Sequence, residues 1–425
     1  MLLSKYFLPT LKHDPSGAHI ASHKLMLRAG MIRQISTGIY SWLPLGVKIL
    51  SKITNIVKKR MEEIGALEVM LPLVQPAQLW RDSGRFCEGK GLGGEMLCAK
   101  DSSGQEMLIA PSAEEVASYV TLQNIQSYKE LPKVIYQVSW KFRDEIRPRH
   151  GVMRCREFLM KDAYSFHHNL DCAQNWYERF LNAYLRIYRD MGLQAIPVLA
   201  DSGDMGGELN HEFHVLSSQG ESTIYYNESI ISAIEKEISL QDLGKFYAVS
   251  SDVLDENKKE GLIKCTSVEV GHIFIQGDKY TQNHKIQNEQ GVLFSPITCA
   301  YGVGISRIIG LIIENNHDTN GIIWPKEVAP FDLYVTSLRN SDEKCKEMFY
   351  RLKAMLDETG LQVLYDDLDD SAGSKFSRAD LLGMPVQIII SPRNSTSNSL
   401  EVKDRKTGEV NIISIDRILD WVKAC

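Results

Sequence analysis

Residues 140–166 read WKFRDEIRPRHGVMRCREFLMKDAYSF, and this stretch decides the fold expected for the chain. Residues 133–142, which lead into it, and residues 156–166, which end it, are apolar and rich in β-branched and aromatic residues, a composition typical of strands. Between them, the segment RPRHG has the Pro and Gly of a loop. The stretch therefore predicts a β-hairpin with a strongly basic connection.

The order of charges along this hairpin indicates a nucleotide site. Alternation along a strand would place Arg143 and Glu145 on one face, and on the return strand it would place Arg154 and Arg156 beside Phe158. A guanidinium group presents paired donors to phosphate oxygens, and an aromatic ring beside it suits a stacked purine. The alternative is a solvated charged hairpin. The ordered sign pattern favours the nucleotide, because a face that only confers solubility does not require it.

Length and composition narrow the class of protein. A chain of 425 residues predicts two to three domains, and its net charge of −6 argues against general polyanion binding. Eight cysteines occur with no CxxC and no Cys/His ligand spacing, which argues against structural zinc and for free thiols in a reducing compartment. No run of about 18 apolar residues is present, and the N-terminal residues do not resemble a signal peptide. We therefore expect a cytoplasmic protein without a membrane span.

Periodicity predicts the remaining elements. Residues 47–64 have a 3.6-residue apolar period that stops at Gly65, and residues 18–35 have apolar residues at helical spacing. The segment ALEVMLPLVQP (66–76) suggests a strand that runs into Pro72. From about residue 328, strands and helices alternate, which predicts a compact α/β domain.

Two further segments leave alternatives open. The glycine-rich segment 89–97 lacks the Lys-Ser/Thr ending of a P-loop, so a hairpin or loop is favoured over a phosphate cradle. In APSAEE, Ser112 and Glu114 stand at the start of a predicted helix, where plain capping is favoured over a pocket-lining role.

Two other patterns partly match known metal-binding and dinucleotide-binding motifs. His211 and His214 are spaced as metal ligands could be, but no third ligand lies nearby in the sequence. The GVGISR segment lacks the third Gly of a dinucleotide fingerprint, and a strand-to-helix turn that presents Arg307 to a phosphate or base is the better interpretation.

Taken together, these segments resemble the class II aminoacyl-tRNA synthetases, and within them the bacterial prolyl-tRNA synthetases. The resemblance extends over nearly the whole chain, in six blocks that keep the family's order: RAGMIRQISTGIYSWLPLG, VMLPLVQPAQLW, the hairpin at 141–166, EVGHIF, YGVGISR and GIIWPKEVAPF. Among the alternatives, a threonyl enzyme would need a Cys/His/His zinc set that cannot be assembled here. An inactive relative would be expected to have lost Arg143, Arg154 and Arg307, all of which are present.

The resemblance implies an α+β and α/β architecture, with an antiparallel-sheet catalytic domain and a C-terminal α/β anticodon-binding domain. It implies catalytic segments at 1–225 and 263–327, a short connecting insertion at 226–262, and the anticodon-binding domain at 328–425. It also implies a homodimer formed through the first motif, with ATP, L-proline and tRNA(Pro) as partners.

For the nucleotide, the resemblance implies that Arg143 holds the α-phosphate and the proline carboxylate, while Phe158 and Arg307 enclose the adenine. Arg143 and Arg307 would thus be the catalytic residues. Glu145 would contact the adenine amino group or the loop, and Arg154 would reach the γ-phosphate. Glu269 would be a ligand of the Mg²⁺ that accompanies ATP, and no structural zinc is expected.

For proline, the resemblance implies that Ser112 and Glu114 accept the secondary ammonium group. Asp162, Phe166 and Glu212 would complete the pocket. Residues 226–262 are too few to hold the large editing domain of the longer bacterial form, so the chain resembles the short, alphaproteobacterial-like subgroup. We therefore expect no hydrolysis of alanyl-tRNA by this chain.

Overall fold

The computed structural model describes residues 1–86, 96–201, 203, 207 and 209–424. The hypotheses on the glycine-rich segment concern mainly residues 89–95, which lie outside the described residues. Within the described part, no helix is long and apolar enough to span a membrane.

The described strands are given in chain order and keep these labels below. They are β1 (Ile32–Ser36), β2 (Ile39–Trp42), β3 (Leu67–Glu68), β4 (Val74–Pro76), β5 (Cys98–Lys100), β6 (Glu106–Ile109), β7 (Lys133–Phe142), β8 (Glu157–His167), β9 (Ala195–Leu199), β10 (Leu209–Leu216), β11 (Ser222–Tyr226), β12 (Ala248–Ser250), β13 (Ile263–Gly277), β14 (Ile286–Gln287), β15 (Leu293–Phe294), β16 (Ile297–Gly304), β17 (Leu333–Ser337), β18 (Val363–Asp366), β19 (Val386–Ile390), β20 (Ser399–Asp404) and β21 (Val410–Ser414).

The described α-helices are labelled in the same way. They are α1 (Ala21–Arg28), α2 (Pro44–Glu63), α3 (Ala77–Asp82), α4 (Glu114–Leu122), α5 (Leu170–Asp190), α6 (Ile230–Ala233), α7 (Leu240–Leu243), α8 (Ile305–Asn315), α9 (Glu343–Asp357), α10 (Ala372–Leu382), α11 (Pro392–Thr396) and α12 (Ile418–Ala424).

The chain divides into two compact units. One contains residues 37–39 and 53–311, and the other contains residues 1–36, 40–52 and 312–425. Two of the boundaries fall within helices, after residue 52 in α2 and after residue 311 in α8.

The unit formed mainly by residues 53–311 is built on a nine-stranded sheet in the order β10-β9-β12-β11-β13-β16-β8-β7-β3, with a further pairing between β10 and β13. Its pairs are antiparallel except β12 with β9 and β3 with β7. The predicted hairpin is confirmed, since β7 and β8 pair in continuous register from Lys133 opposite Phe166 to Phe142 opposite Glu157. The expected antiparallel-sheet fold is therefore present.

Helix α5 covers one face of this sheet. Asn169 caps its first turn by accepting from the Cys172 backbone N–H at 2.9 Å. Its buried stripe includes Phe180, whose ring stacks on Tyr301 of β16 at a centroid distance of 3.6 Å. Each such buried aromatic side chain contributes roughly 1.5–3 kcal/mol of transfer free energy. Helix α5 therefore stabilises one face of the sheet by apolar packing.

The unit that includes residues 312–424 contains a five-stranded sheet in the order β18-β17-β19-β20-β21. The first three strands are parallel and the last two pairings are antiparallel. Helix α9 packs its buried side against the sheet in a core that includes Phe349, Leu352 and Ile388. The predicted α/β alternation is confirmed, but β20 and β21 were not predicted.

One local prediction was wrong. Residues 18–35 are not one helix, because α1 ends at Arg28, Gly30 turns the chain with a φ of +68°, and β1 follows. The strand predicted to run into Pro72 is present as β3 but is shorter than expected, since it ends at Glu68, and β4 begins beyond Pro72.

Candidate active site

The β7–β8 hairpin continues beyond its strands into the basic loop. The backbone N–H of Arg143 donates to the Arg156 carbonyl at 2.9 Å, and that of Arg149 donates to the Arg154 carbonyl at 3.0 Å. His150 and Gly151 both have positive φ, at 59° and 61°, and this left-handed pair turns the loop back on itself. The loop therefore returns Arg154 to the base of the hairpin.

This geometry corrects the predicted strand alternation. Strand β7 ends at Phe142 and β8 begins at Glu157, so the loop arginines are outside the pleat. The Arg156 Nε donates to the Glu145 carbonyl at 3.1 Å and lies 3.3 Å from Asp144. Arg156 therefore braces the loop and does not share a cavity face with Arg154 and Phe158, as alternation had placed it.

The first cavity, of about 230 Å³, collects all six residues predicted for the nucleotide. Its lining includes Arg143, Glu145, Arg154, Phe158, Glu269 and Arg307. They come from β8, β13, α8 and the hairpin loop, so they converge through sheet register and not through nearness in sequence. An aromatic ring with three guanidinium groups can hold a base and its phosphates.

Arg143 and Arg307 are fixed by contacts that leave them facing this cavity. The Arg143 guanidinium lies 5.4 Å from the Phe158 ring centroid, and its Nε and one terminal nitrogen each lie 3.4 Å from the Pro111 carbonyl oxygen. Arg307 donates from Nε to the Met153 carbonyl at 2.9 Å and from a terminal nitrogen to the Glu269 carbonyl at 2.8 Å. Burial lowers the pKa of Arg143, and the nearby negative charge of Glu269 offsets only part of this effect.

Glu269 is the acidic group at the base of the cavity. Its carboxylate accepts from His272 Nδ1 at 3.0 Å and lies 3.7 Å from Arg307. Burial opposes ionisation, but the His272 hydrogen bond and the neighbouring positive charges outweigh it and lower the pKa of Glu269 to about 2. The carboxylate is therefore ionised at neutral pH.

Arg154 is held by two acids, one of which sequence reasoning missed. Its Nε and one terminal nitrogen donate to the Glu145 carboxylate at 3.0 and 3.1 Å, and its other terminal nitrogen donates to Glu221 at 2.5 Å. Glu221 also accepts from Arg149 Nε at 2.6 Å. These hydrogen bonds raise the pKa of Arg154, and the Arg154 bond lowers the pKa of Glu145. An adjoining cavity of about 220 Å³, lined among others by Arg154, Glu221 and His150, extends the first.

A second cavity, of about 270 Å³, meets the first at Arg143, which lines both. Its lining also includes Ser112, Glu114, Asp162 and Arg85. The Ser112 hydroxyl oxygen accepts from an Arg85 terminal nitrogen at 3.0 Å, and Glu114 pairs with Arg85 at 2.9 Å. Helix α4 has Ala113 at its N-cap position with no side-chain hydrogen bond. The favoured capping role of Ser112 was therefore wrong, and its side chain belongs to the cavity.

Asp162 lies deep in the second cavity within a buried polar network. Its Oδ1 is 2.9 Å from Lys141 Nζ, and its Oδ2 accepts from Gln137 at 2.9 Å and from the Tyr164 hydroxyl at 2.8 Å. Tyr164 in turn accepts from the Ala113 backbone N–H at 2.8 Å, at the start of α4. The network therefore links the hairpin to the helix that carries Ser112 and Glu114.

The two remaining predicted residues lie outside these cavities. Phe166 is 1% exposed and packs in a core cluster with Ala113, Tyr164 and Ala300. Glu212 is paired across the sheet with His272 and accepts from His214 Nε2 at 2.8 Å. Both therefore contact or neighbour residues of the second cavity without lining it.

The two histidines weighed as metal ligands have other partners. His211 Nδ1 shares a 2.7 Å hydrogen bond with the Tyr177 hydroxyl, and His214 Nδ1 shares one of 2.9 Å with Ser267. Across residues 1–86, 96–201, 203, 207 and 209–424, no group of three or more His, Cys, Asp or Glu side chains is arranged to hold a metal ion by protein ligands alone.

Sequence reasoning missed Arg85, Glu115, Glu221 and Lys141. Arg85 stands in WRDSGRF, which has no periodic pattern, and Glu221 stands in a polar turn 67 residues after Arg154. Glu114 and Glu115 are acids in the first turn of a helix, which is an ordinary pattern, and only their burial in the structure shows that they require a cation nearby.

Comparisons with known proteins identify the family and the domains of the chain. Residues 97–316 match the family model of the class II tRNA synthetase core domain (G, H, P, S and T), and residues 332–424 match that of the anticodon binding domain. A proline–tRNA ligase of Rickettsia prowazekii is 47% identical, covering 100% of this chain and 99% of its own length. One from Rickettsia bellii is 48% identical, covering 98% and 97%.

The fold has a solved counterpart. The crystal structure of prolyl-tRNA synthetase from Cryptosporidium parvum, complexed with L-proline and AMP, matches with a TM-score of 0.75 at 17% identity, covering 98% of this chain and 77% of that chain. At that identity the match shows the fold alone. With the full-length relatives and the two domain matches, however, the assignment is complete: this chain belongs to the proline–tRNA ligases, a family of class II aminoacyl-tRNA synthetases.

Proposed function

We propose that the two joined cavities activate L-proline with ATP to prolyl-adenylate, releasing pyrophosphate, and then transfer proline to the 3′ end of tRNA(Pro). The observation that carries the proposal is the position of Arg143, which lines both cavities. A cation at that junction lies where a carboxylate in one cavity must meet an α-phosphate in the other.

The reaction needs positioning and charge neutralisation more than a protein nucleophile. A proline carboxylate oxygen attacks the α-phosphorus, the bond to the bridging oxygen breaks, and pyrophosphate leaves with that oxygen. Arg143 would neutralise the carboxylate and the α-phosphate as they approach each other. A hydroxyl group of the terminal ribose of tRNA then attacks the carbonyl carbon, and AMP leaves.

In the first cavity, Phe158 and Arg307 would enclose the adenine and Glu145 would contact its amino group or orient the loop. Arg154 would bind the γ-phosphate, which would displace the carboxylate of Glu145 or of Glu221 from the Arg154 guanidinium. Glu269 fits the remaining requirement for a magnesium ligand, since it is ionised and lines the cavity. Mg²⁺ typically takes one or two protein carboxylates together with substrate phosphates, so a larger protein ligand set is not needed.

In the second cavity, Ser112 and Glu114 would accept the secondary ammonium of proline, with Asp162 beside them. Phe166 and Glu212 would support this pocket from outside, through the core cluster and through the neighbour His272. The chain would be divided functionally into catalytic segments 1–225 and 263–327, a connecting segment 226–262, and an anticodon-binding segment 328–425.

We also propose a cytoplasmic homodimer formed through the segment around β3 and β4. Leu67, Met70 and Val74 are 64%, 93% and 53% exposed. Several large apolar side chains exposed on one short segment typically mark an interface, and the family resemblance indicates a second copy of the chain as the occupant.

Proline-dependent exchange of labelled pyrophosphate into ATP tests the proposal, with threonine and alanine as competing substrates. Exchange should require proline, and Arg143→Ala should reduce it by at least about 100-fold while the fold is retained. Arg186→Ala is the matched control, because Arg186 lies on α5, pairs with Glu237 and lines neither cavity. Threonine-dependent exchange, or full activity of Arg143→Ala, would contradict the proposal.

We further propose that this chain does not hydrolyse alanyl-tRNA(Pro). Between β11 and β13 the described chain forms two four-residue helices, the short strand β12 and two 3-10 turns. Each methylene missing from a substrate in an apolar pocket typically gives only about 10- to 200-fold discrimination, so alanine, which lacks two, would still be mischarged at a measurable rate. The test is to add pure enzyme to alanyl-tRNA(Pro), and deacylation above the buffer rate would contradict it.

A further inference from the structure

Arg85 is a buried guanidinium in contact with the groups proposed to bind the ammonium of proline. Its side chain is 3% exposed, and its terminal nitrogens reach Glu114 at 2.9 Å, Glu115 at 3.2 Å and Ser112 Oγ at 3.0 Å. The side chains of Glu114 and Glu115 are 5% and 2% exposed. Three buried charged groups and a hydroxyl therefore form one cluster, and Arg85 is the member that contacts all the others.

The placement of Arg85 is itself over-determined. Its guanidinium lies 4.6 Å from the ring of Trp80 and 5.8 Å from that of Tyr280. Trp80 is fully buried and is fixed by a 2.9 Å hydrogen bond from its indole nitrogen to Gln75. Stacking between aromatic rings restricts the guanidinium plane, so its donors have fixed directions.

The two acids have different positions relative to the cavity. Glu114 lines the second cavity, whereas Glu115 does not and instead accepts from Ser83 at 2.7 Å and from Arg85. Burial raises the pKa of Glu114, but the Arg85 charge together with the hydrogen bonds that Glu114 receives from Ser112, from its own backbone N–H and from Arg85 outweighs it, and the net shift is downward. For Glu115 burial prevails and raises the pKa. Glu115 thus anchors Arg85, and Arg85 with these hydrogen bonds favours the ionised form of Glu114 at the cavity wall.

From this geometry we propose that Arg85 is the positioning residue of the imino-acid site: it holds Ser112 and the ionised Glu114 in the orientation that receives the ammonium of proline. The inference rests on the proposed function and adds a residue to it. Glu114 and Ser112 both line the cavity, so the substrate ammonium would meet a carboxylate and a hydroxyl oxygen that Arg85 already holds. Arg85 would therefore control affinity for the charged nitrogen and not affinity for the ring or for ATP.

The test compares L-proline with cyclopentanecarboxylate, which has the same ring and carboxylate but a CH₂ in place of the ammonium. Wild-type enzyme and the variants Arg85→Met and Arg85→Lys are assayed by pyrophosphate exchange, with cyclopentanecarboxylate as the competitive inhibitor. Arg85→Met should raise the KM for proline about 10- to 100-fold, the range for a lost charged hydrogen bond. The KM for ATP and the inhibition constant of cyclopentanecarboxylate should change less than about threefold, since neither brings an ammonium group to the cluster.

Arg85→Lys should give an intermediate KM for proline, because an ammonium keeps the charge but cannot reach all three acceptors of the guanidinium fork. Arg81→Met is the matched control: Arg81 is four residues earlier, 41% exposed in its side chain and paired with Glu106, and its loss should leave every constant near wild type. Circular dichroism checks that each variant is folded.

Two outcomes would overturn the inference. One is an unchanged KM for proline in Arg85→Met, and the other is an equal loss of proline and cyclopentanecarboxylate binding, which a general distortion would cause. If Arg85→Met does not fold, Arg85→Lys decides by the same ratio, and an unchanged ratio refutes the inference. Absence of proline-dependent exchange in the wild-type enzyme would instead refute the proposed function, so the two failures are distinguishable.

Discussion

The ion pair between Lys141 and Asp162 gives a quantitative test of how the candidate site is held together. Lys141 Nζ lies 2.9 Å from Asp162 Oδ1, and the two side chains are 2% and 5% exposed. Asp162 Oδ2 accepts two further hydrogen bonds, from Gln137 and Tyr164. Removing one partner leaves an uncompensated charge in the interior, which typically costs 3–5 kcal/mol, whereas removing both charges together costs much less.

We therefore expect Lys141→Met and Asp162→Asn each to lower the free energy of unfolding by about 3–5 kcal/mol. For a unit of this size that corresponds to a fall in Tm of roughly 6–20 °C. The double variant should lose less than the sum of the two by at least about 2 kcal/mol, because an asparagine oxygen can still accept from Gln137 and Tyr164 and no charge remains unpaired.

Urea unfolding followed by circular dichroism, at constant pH, measures the three differences. Lys245→Met is the control, because Lys245 pairs with Asp242 in an exposed salt bridge and its removal should cost less than about 1 kcal/mol. Strictly additive losses would show that Lys141 and Asp162 do not interact energetically. Single losses below about 1 kcal/mol would show that the pair is solvated, and either result would refute the reasoning.

Three further predictions concern the nucleotide cavity and the proposed dimer. Phe158→Leu should raise the KM for ATP about tenfold, through loss of the aromatic face, with the KM for proline nearly unchanged in steady-state exchange assays. Glu269 has its pKa lowered from 4.5 to about 2 in the folded state, so its ionised form stabilises the fold above about pH 4.5 and this stabilisation is lost as the pH falls toward 2. The stability difference between wild type and Glu269→Gln should therefore shrink over that window in acid-unfolding titrations, and a constant difference would contradict it. Met70→Asp should shift the enzyme to monomers in sedimentation velocity, whereas Val410→Asp, at another exposed apolar residue, should not.

The sequence predicted the parts of the site that depend on local pattern. Strands β7 and β8 were found to within a residue because alternating apolar side chains and a Pro/Gly loop are local signals. Arg143, Arg154 and Arg307 were singled out from local pattern, because the first two lie in a basic segment between two predicted strands and Arg307 follows a predicted strand-to-helix turn. The prediction placed Arg156 on one face with Arg154 and Phe158, because strand alternation was extended back beyond Glu157, where β8 begins and the preceding residues belong to the loop.

The parts that were missed depend on contacts between distant segments. Arg85 contacts Glu114 and Glu115 across about 30 residues, and Glu221 contacts Arg154 across 67. Neither contact follows from periodicity, since Arg85 lies after α3 and meets two residues of α4, while Glu221 lies just before β11 and meets Arg154 in the hairpin loop. The role of Ser112 was misjudged for the same reason: a hydroxyl at a helix start is usually a cap, and only the presence of Arg85 gives it a different partner.

The glycine of YGVGISR shows how register, once known, explains a motif that the sequence left ambiguous. Gly302 lies on β16 between His272 of β13 and Asp162 of β8, and it lines both cavities. A Cβ at that position would lie 2.8 Å from His272 Nε2, which is too close for a real contact. Any side chain would therefore push His272 off Glu269 or fill the floor where the two cavities join. Gly302 is thus explained by its position where the two cavities join, and not by a dinucleotide-binding turn. Arg143 lines both cavities at the same junction.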